Sequence, residues 1–213
     1  MTKIGDIKVF VKPYDTVSIG EIPEFVKSEC KRLKDAWKIR QKKAAYSLLC
    51  EVLTELSGIE GVGEHIVKNA AGKPELFYDG SALKFSISHS HDLVAVAVSD
   101  SDVGVDIEKI REVASQPLLE KICNNDEKKE ILKFSAESCG DITQDIIKTW
   151  SKKEALYKTG LFGDKFLPQQ IDTVKLQDRT FTKELEFNEE KYVLSVAFNE
   201  DLTNKKAIYF PFL

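Results

Sequence analysis

No stretch of this chain is apolar enough to cross a bilayer. The longest purely aliphatic run, Leu93 to Val98, has six residues, where a spanning helix needs about 20. Cys30, Cys50, Cys123 and Cys139 are scattered and form no Cys-x-x-Cys pair, which removes the usual zinc spacing and leaves no disulfide framework to read. Residues 1–6 carry Lys3 and Asp6 where a signal peptide needs an apolar run. Glycine and proline are sparse, with 11 and 6 in 213 residues, so no linker or low-complexity tract is expected. No GxxxxGK[ST] cradle for a nucleoside triphosphate occurs. The absences together describe a folded protein of a reducing cytoplasm, with no membrane segment.

Charge is also short on the positive side. Asp and Glu number 35 against 31 Lys and Arg, a net charge of −4, which argues against general nucleic-acid binding. The distribution is uneven, however. Between Lys27 and Lys43 lie eight basic residues, Lys31 and Arg40 among them, opposed by Glu29 and Asp35. Such a stretch is either a solvated helix face or a surface for an anionic ligand or partner.

What is present is a globular pattern with 42% hydrophobic residues, enough for a sizeable core. Ile7 to Val11 alternates as a short strand. Beyond Pro23, apolar residues from Phe25 to Leu56 recur near helical spacing, as two helices or one bent one would, and stop at Gly58. Leu83, Phe85 and Ile87 alternate with polar residues; Leu93 to Val98 is apolar on both faces, as a central strand would be; Val103 to Ile107 follows as a third strand. The second half predicts helices near 118–122, 126–134 and 141–158, then strands at 171–176, 180–187, 192–198 and 207–210, with a turn at 188–190. Each half thus offers a long helix with antiparallel strands. The expected fold class is α+β: two similar lobes, 1–104 and 105–213, each a small antiparallel sheet with a long helix, related by a pseudo-twofold.

Three segments carry groups suited to chemistry. Ser86-Ile-Ser-His-Ser-His91 places hydroxyls and imidazoles at a strand end; this is either a polar turn or a set of donors for phosphate oxygens. In Val103-Gly-Val-Asp-Ile-Glu108, Asp106 and Glu108 share one face of a strand. They are either outward-facing charges or hard oxygen ligands of the kind Mg²⁺ takes alongside water and phosphate. In Trp150-Ser-Lys-Lys-Glu-Ala-Leu-Tyr-Lys158, Trp150, Glu154 and Lys158 stack along one helix face. A Glu–Lys pair at that spacing is either a surface salt bridge or a metal ligand beside a phosphate-binding lysine.

The set as a whole, Ser88-His89-Ser90, a buried strand, Asp106-x-Glu108, and the Trp150–Lys158 helix about forty residues on, closely resembles the signature of the 4′-phosphopantetheinyl transferases, in their larger, two-lobed, surfactin-synthetase-activating form. Gly72-Lys73-Pro74 fits the same pattern, so the resemblance covers about residues 72 to 158. It implies transfer of the 4′-phosphopantetheine group from coenzyme A to a serine of an apo acyl or peptidyl carrier protein, with release of 3′,5′-ADP. By the same resemblance Asp106, Glu108 and Glu154 would hold Mg²⁺, and Lys158 and His89 would contact the phosphates. Lys73 and Ser88 would hold the nucleotide end, with Lys31 or Arg40 contributing. Glu154 or a metal-held water would take the serine proton. Tyr46 departs from the pattern, standing where relatives often carry an arginine. The implied partner is acidic, so the basic stretch and the apolar Leu161-Phe162 are both candidate docking surfaces. A monomer is expected, since two lobes in one chain can form the whole cleft.

Overall fold

The computed structural model of the chain describes residues 6–113, 115–138, 142–163, 165–199 and 207–211. The chain divides into two compact units, Met1–Val103 with Asn204–Leu213, and Gly104–Thr203.

In the first unit, strand β1 (Ile7–Pro13) is followed by helices α1 (Glu24–Cys30) and α2 (Ala36–Ser57). A short hairpin of β2 (Ile66–Lys68) and β3 (Pro74–Leu76) leads to β4 (Lys84–Ser90) and β5 (Leu93–Ser99). The sheet has the order β4-β5-β1-β9, where β9 is Ala207–Pro211. The β4/β5 and β5/β1 pairs are antiparallel, and β1/β9 is parallel. The sequence pattern assigned 207–210 to the second lobe; the strand lies instead beside β1, so the first unit takes both ends of the chain. As expected of a run apolar on both faces, β5 is buried along its whole length.

The body of this unit is α2 laid across the sheet. Ala44, Ala45, Leu48, Leu49, Val52 and Leu53 share one core with Val94, Val96, Val98 and Phe85. Each fully buried Leu or Val stabilises by about 1.5–3 kcal/mol. Local signals set the helix ends. Asp35 caps the start, accepting from the amides of Trp37 at 3.0 Å and Lys38 at 3.4 Å. Gly58 closes the other end in the left-handed region, φ 71°, where glycine carries no Cβ penalty.

The second unit begins with β6 (Val103–Lys109), then helices α3 (Ser115–Ile122), α4 (Asn125–Ser138) and α5 (Ile142–Lys158). It ends with β7 (Thr180–Phe187) and β8 (Glu190–Phe198). The three strands form a sheet of order β6-β8-β7. The expected turn at 188–190 is a tight hairpin with Asn188 and Glu189 at φ 51° and 64°, the left-handed pair that matches strand twist. Helix α5 packs on the sheet through Ala155 and Leu156, which share a cluster with Ile171 and Ala197. The architecture is thus the expected α+β class: small sheets, each carrying a long helix.

One predicted strand is absent. Residues 171–176 form turns instead, because the Asp172 carboxylate accepts from the amides of Val174 at 3.1 Å and Lys175 at 3.2 Å. A short acidic side chain that captures the backbone ahead of it competes with strand pairing. Among the described residues no helix is long and apolar enough to cross a membrane.

Glu29 braces the first unit by pairing with Lys42 of α2 and Lys68 of β2. Burial raises its carboxyl pKa, but the two lysines outweigh that and hold it below the usual value. Stability from a lowered carboxyl is present above its unfolded pKa, about 4.3, and is lost as pH falls through the folded value. Urea unfolding of Glu29→Gln should therefore show a deficit at neutral pH that narrows as the pH drops below about 4. A deficit of constant size across that range would count against the brace.

Candidate functional site

The site in the second unit starts from a missing side chain. A Cβ on Gly104 would sit 1.9 Å from the Ala155 carbonyl oxygen, so only glycine lets β6 approach α5 this closely. That approach brings the end of α5 against the next turn of strand. Lys158 donates to Asp106 Oδ1 at 2.8 Å and to the Val105 carbonyl at 3.0 Å. Asp106 is 3% exposed, and a carboxylate so deeply placed needs a cationic partner.

Glu154 lies one turn before Lys158 on the same helix. Its carboxyl pKa is raised above the ordinary value, chiefly by burial and further by the Asp106 charge, with the Lys158 ammonium opposing. The two carboxylates therefore sense each other across the β6–α5 contact. Glu108, two residues beyond Asp106, is half-buried and lines a hollow with Arg111, Leu118, Lys121 and Trp150. Trp150 rests edge-on against Phe166, which also meets Tyr157.

Three carboxylates on two adjoining elements are hard oxygen donors. Among the described residues no group of three or more His, Cys, Asp or Glu side chains comes together as a metal-holding set. Mg²⁺ does not require one, since it takes one or two carboxylates and fills its shell with water and phosphate. The Asp106–Glu154 neighbourhood, with the Lys158 ammonium as its present cation, fits that demand. The buried thiols do not suit nucleophilic work, because burial pushes Cys50 up to about 12 and Cys123 up to about 11. Cys139 lies outside the described residues.

The remaining sequence-derived candidates belong to the first unit. Ser88 is buried and His89 exposed on β4, opposite Ala95 and Val94. His91 sits in the hairpin at φ 49°, its carbonyl accepting from Gln41 Nε2 at 2.7 Å. Lys73 follows Gly72, at φ 82°, in a turn held by the Asn69 carboxamide. It lines a cavity that reaches β4 at Lys84 and Phe85, about 13 Å along an extended strand from Ser88.

The basic stretch is less available than it reads. Lys27 pairs with Glu24 and Lys42 with Glu29. Arg40 turns onto the loop after β1, donating to the carbonyls of Asp15 at 3.2 Å and Val17 at 2.7 Å. Lys31, Arg32, Lys34 and Lys38 are exposed around the partly exposed Trp37. Tyr46 is a core ring, edge-on to Phe25, with its phenol pKa raised by burial and by the Glu29 charge. Of the apolar pair, Leu161 is exposed and Phe162 packs on the α5 cluster.

Two residues of the chemistry-bearing segments had no role from sequence. Gly104 was legible only as part of a strand. Lys153 entered only as part of the quoted helix segment, and it is fully buried against Glu127. An Asn124-x-x-Glu127 capping box was the available signal for Glu127.

Residues 102–208, half of the chain, match the profile of the 4′-phosphopantetheinyl transferase superfamily. The matched region contains β6, α5, Asp106, Glu108, Glu154 and Lys158. No curated protein sequence matches the chain.

Gly104→Ala should separate β6 from α5 and cost more than the roughly 1–3 kcal/mol of ordinary over-packing, because the obstacle is backbone. A thermal melt within a degree or two of the wild type would show that the contact is not as close as described.

Proposed function

Because this chain belongs to the 4′-phosphopantetheinyl transferase superfamily, whose reaction places a phosphopantetheine arm on a carrier protein, we propose that it takes the arm from coenzyme A. The acceptor is a serine of an apo acyl or peptidyl carrier, and 3′,5′-ADP is released in a Mg²⁺-dependent reaction. The observation that supports this reading most directly is the Asp106–Lys158 pair with Glu154 one turn behind it.

Asp106, Glu108 and Glu154 would hold the Mg²⁺, which when bound supplies charge neutralisation at the pyrophosphate. Lys158 adds a second positive charge, already oriented by Asp106 and the Val105 carbonyl, so little reorganisation is needed when negative charge grows on the leaving oxygens. The serine oxygen bonds to the β-phosphorus of coenzyme A as the bond from that phosphorus to the bridging oxygen breaks. Glu154 is assigned the serine proton, since burial makes its carboxylate a better base than an exposed one. His89 is assigned with Lys158 to the phosphate contacts, and Lys73 and Ser88 to the nucleotide end. Of the two candidates in the basic stretch the proposal keeps Lys31, which is exposed, since Arg40 donates to the carbonyls of Asp15 and Val17. The enzyme of this proposal is a cytoplasmic monomer.

Intact-mass measurement of an apo carrier incubated with the protein, coenzyme A and Mg²⁺ tests the reading. The expected result is a gain of one phosphopantetheine group that disappears with EDTA and with Glu154→Gln. Coenzyme A binding without any gain on several unrelated carriers would instead identify a binding protein that lacks transfer.

The exposed charges at Lys31 and Lys34 fit an acidic carrier, and reversing both to Glu should raise the carrier KM by several-fold. An unchanged carrier KM would move the docking surface elsewhere.

A further inference from the structure

The second unit contains a buried ion pair that the proposed chemistry does not use. Lys153 has none of its side chain exposed, and Glu127 has 2%. The Lys153 ammonium has three protons to give. It pairs with Glu127 Oε2 and donates to the carbonyls of Pro168 at 2.8 Å and Ile171 at 2.7 Å. Glu127 is equally saturated. Its Oε2 also accepts from the Asn124 amide at 2.9 Å, and its Oε1 accepts from the Thr173 amide at 2.8 Å and hydroxyl at 2.7 Å. One knot thus ties the start of α4, the middle of α5 and the turn at 168–173.

Stability alone does not account for it. Removing two charges from water costs several kcal/mol per ion, and a well-packed apolar pair is commonly as stable or more so. An ionic knot does what an apolar contact does not: it fixes direction and register, because each proton and lone pair has one assigned partner. Its position on the helix matters. Lys153 immediately precedes Glu154, and Ala155 immediately follows, with its carbonyl against Gly104 of β6. Glu154 is therefore bracketed by the two places where α5 cannot slide or rotate.

We propose that Lys153 is a positioning residue for Glu154, acting through its buried pair with Glu127 to fix the axial setting of α5 against β6. The role rests on the transferase reading for its consequence in rate, though not for its geometry. Displacement by about 1 Å from productive geometry costs on the order of 100-fold in rate.

The test replaces the pair by apolar residues of similar volume, Lys153→Met with Glu127→Leu, beside the milder Glu127→Gln. The double variant is expected to unfold cooperatively near the wild-type temperature. Its kcat should fall about 100-fold, with the KM values for coenzyme A and carrier within about threefold. Amide resonances of Gly104 and Ala155 should shift in the NMR spectrum of the metal-free protein, while that of Ala95 in the first unit stays. Glu127→Gln, which keeps the shape but loses the charge, should show a smaller loss of rate and smaller shifts of the same two amides. A folded double variant with wild-type kcat, or with unmoved Gly104 and Ala155 amides, overturns the proposal. Should the double variant not fold, Glu127→Gln decides by the amides: shifts at Gly104 and Ala155 support the proposal, and their absence overturns it. If the wild-type chain transfers no arm, the functional reading fails alone and the amide measurement still judges the positioning role.

Discussion

The closest constraint in the second unit is the contact between a strand backbone and a helix backbone at Gly104. The Ala155 carbonyl occupies the space a side chain at 104 would need. The rest of the site descends from it. With β6 pressed onto α5, Asp106 comes within reach of Lys158, and its charge is felt at Glu154. A wider separation would hydrate all three groups, and solvent screening would reduce their mutual influence to that of a surface pair.

Burial here serves electrostatics as well as packing. Val103, Val105 and Ile107 anchor β6 in the core, which carries Asp106 into a region where an isolated carboxylate would be costly. The chain meets that cost with Lys158 and leaves Glu154 with a raised pKa. The first unit answers a similar problem differently. Glu29 stays near the surface with two lysines on it, so its pKa falls rather than rises. Two acidic residues in one chain are shifted in opposite directions because burial dominates at one and cationic neighbours at the other.

Much of the fold could be read from periodicity. The helical spacing of α2, its stop at Gly58 and the fully buried β5 follow from spacing and end residues that act within a few positions, whereas the Asp35 cap was found only in the structure. The failures are of two physical kinds. At 171–176 an apolar-looking run became turns because Asp172 bonds to its own backbone, a local competition that hydrophobic alternation does not register. At 207–211 the strand itself was legible, but its partner was not, since pairing with β1 joins residues 200 positions apart, as Ile7 with Ala207.

The sequence alone determined which groups of the second-unit site would be present and on which face of which element: Asp106 with Glu108 on a strand, Glu154 with Lys158 on a helix. Strand and helix periods are properties of the backbone and need no tertiary knowledge. Tertiary structure decided what those groups do to one another. It placed Lys158 on Asp106, raised Glu154, turned Tyr46 into a core ring, sent Arg40 onto the loop after β1, and buried Lys153 on Glu127. Each of these outcomes depends on distance and desolvation between segments remote in sequence, and neither quantity is written in residue spacing.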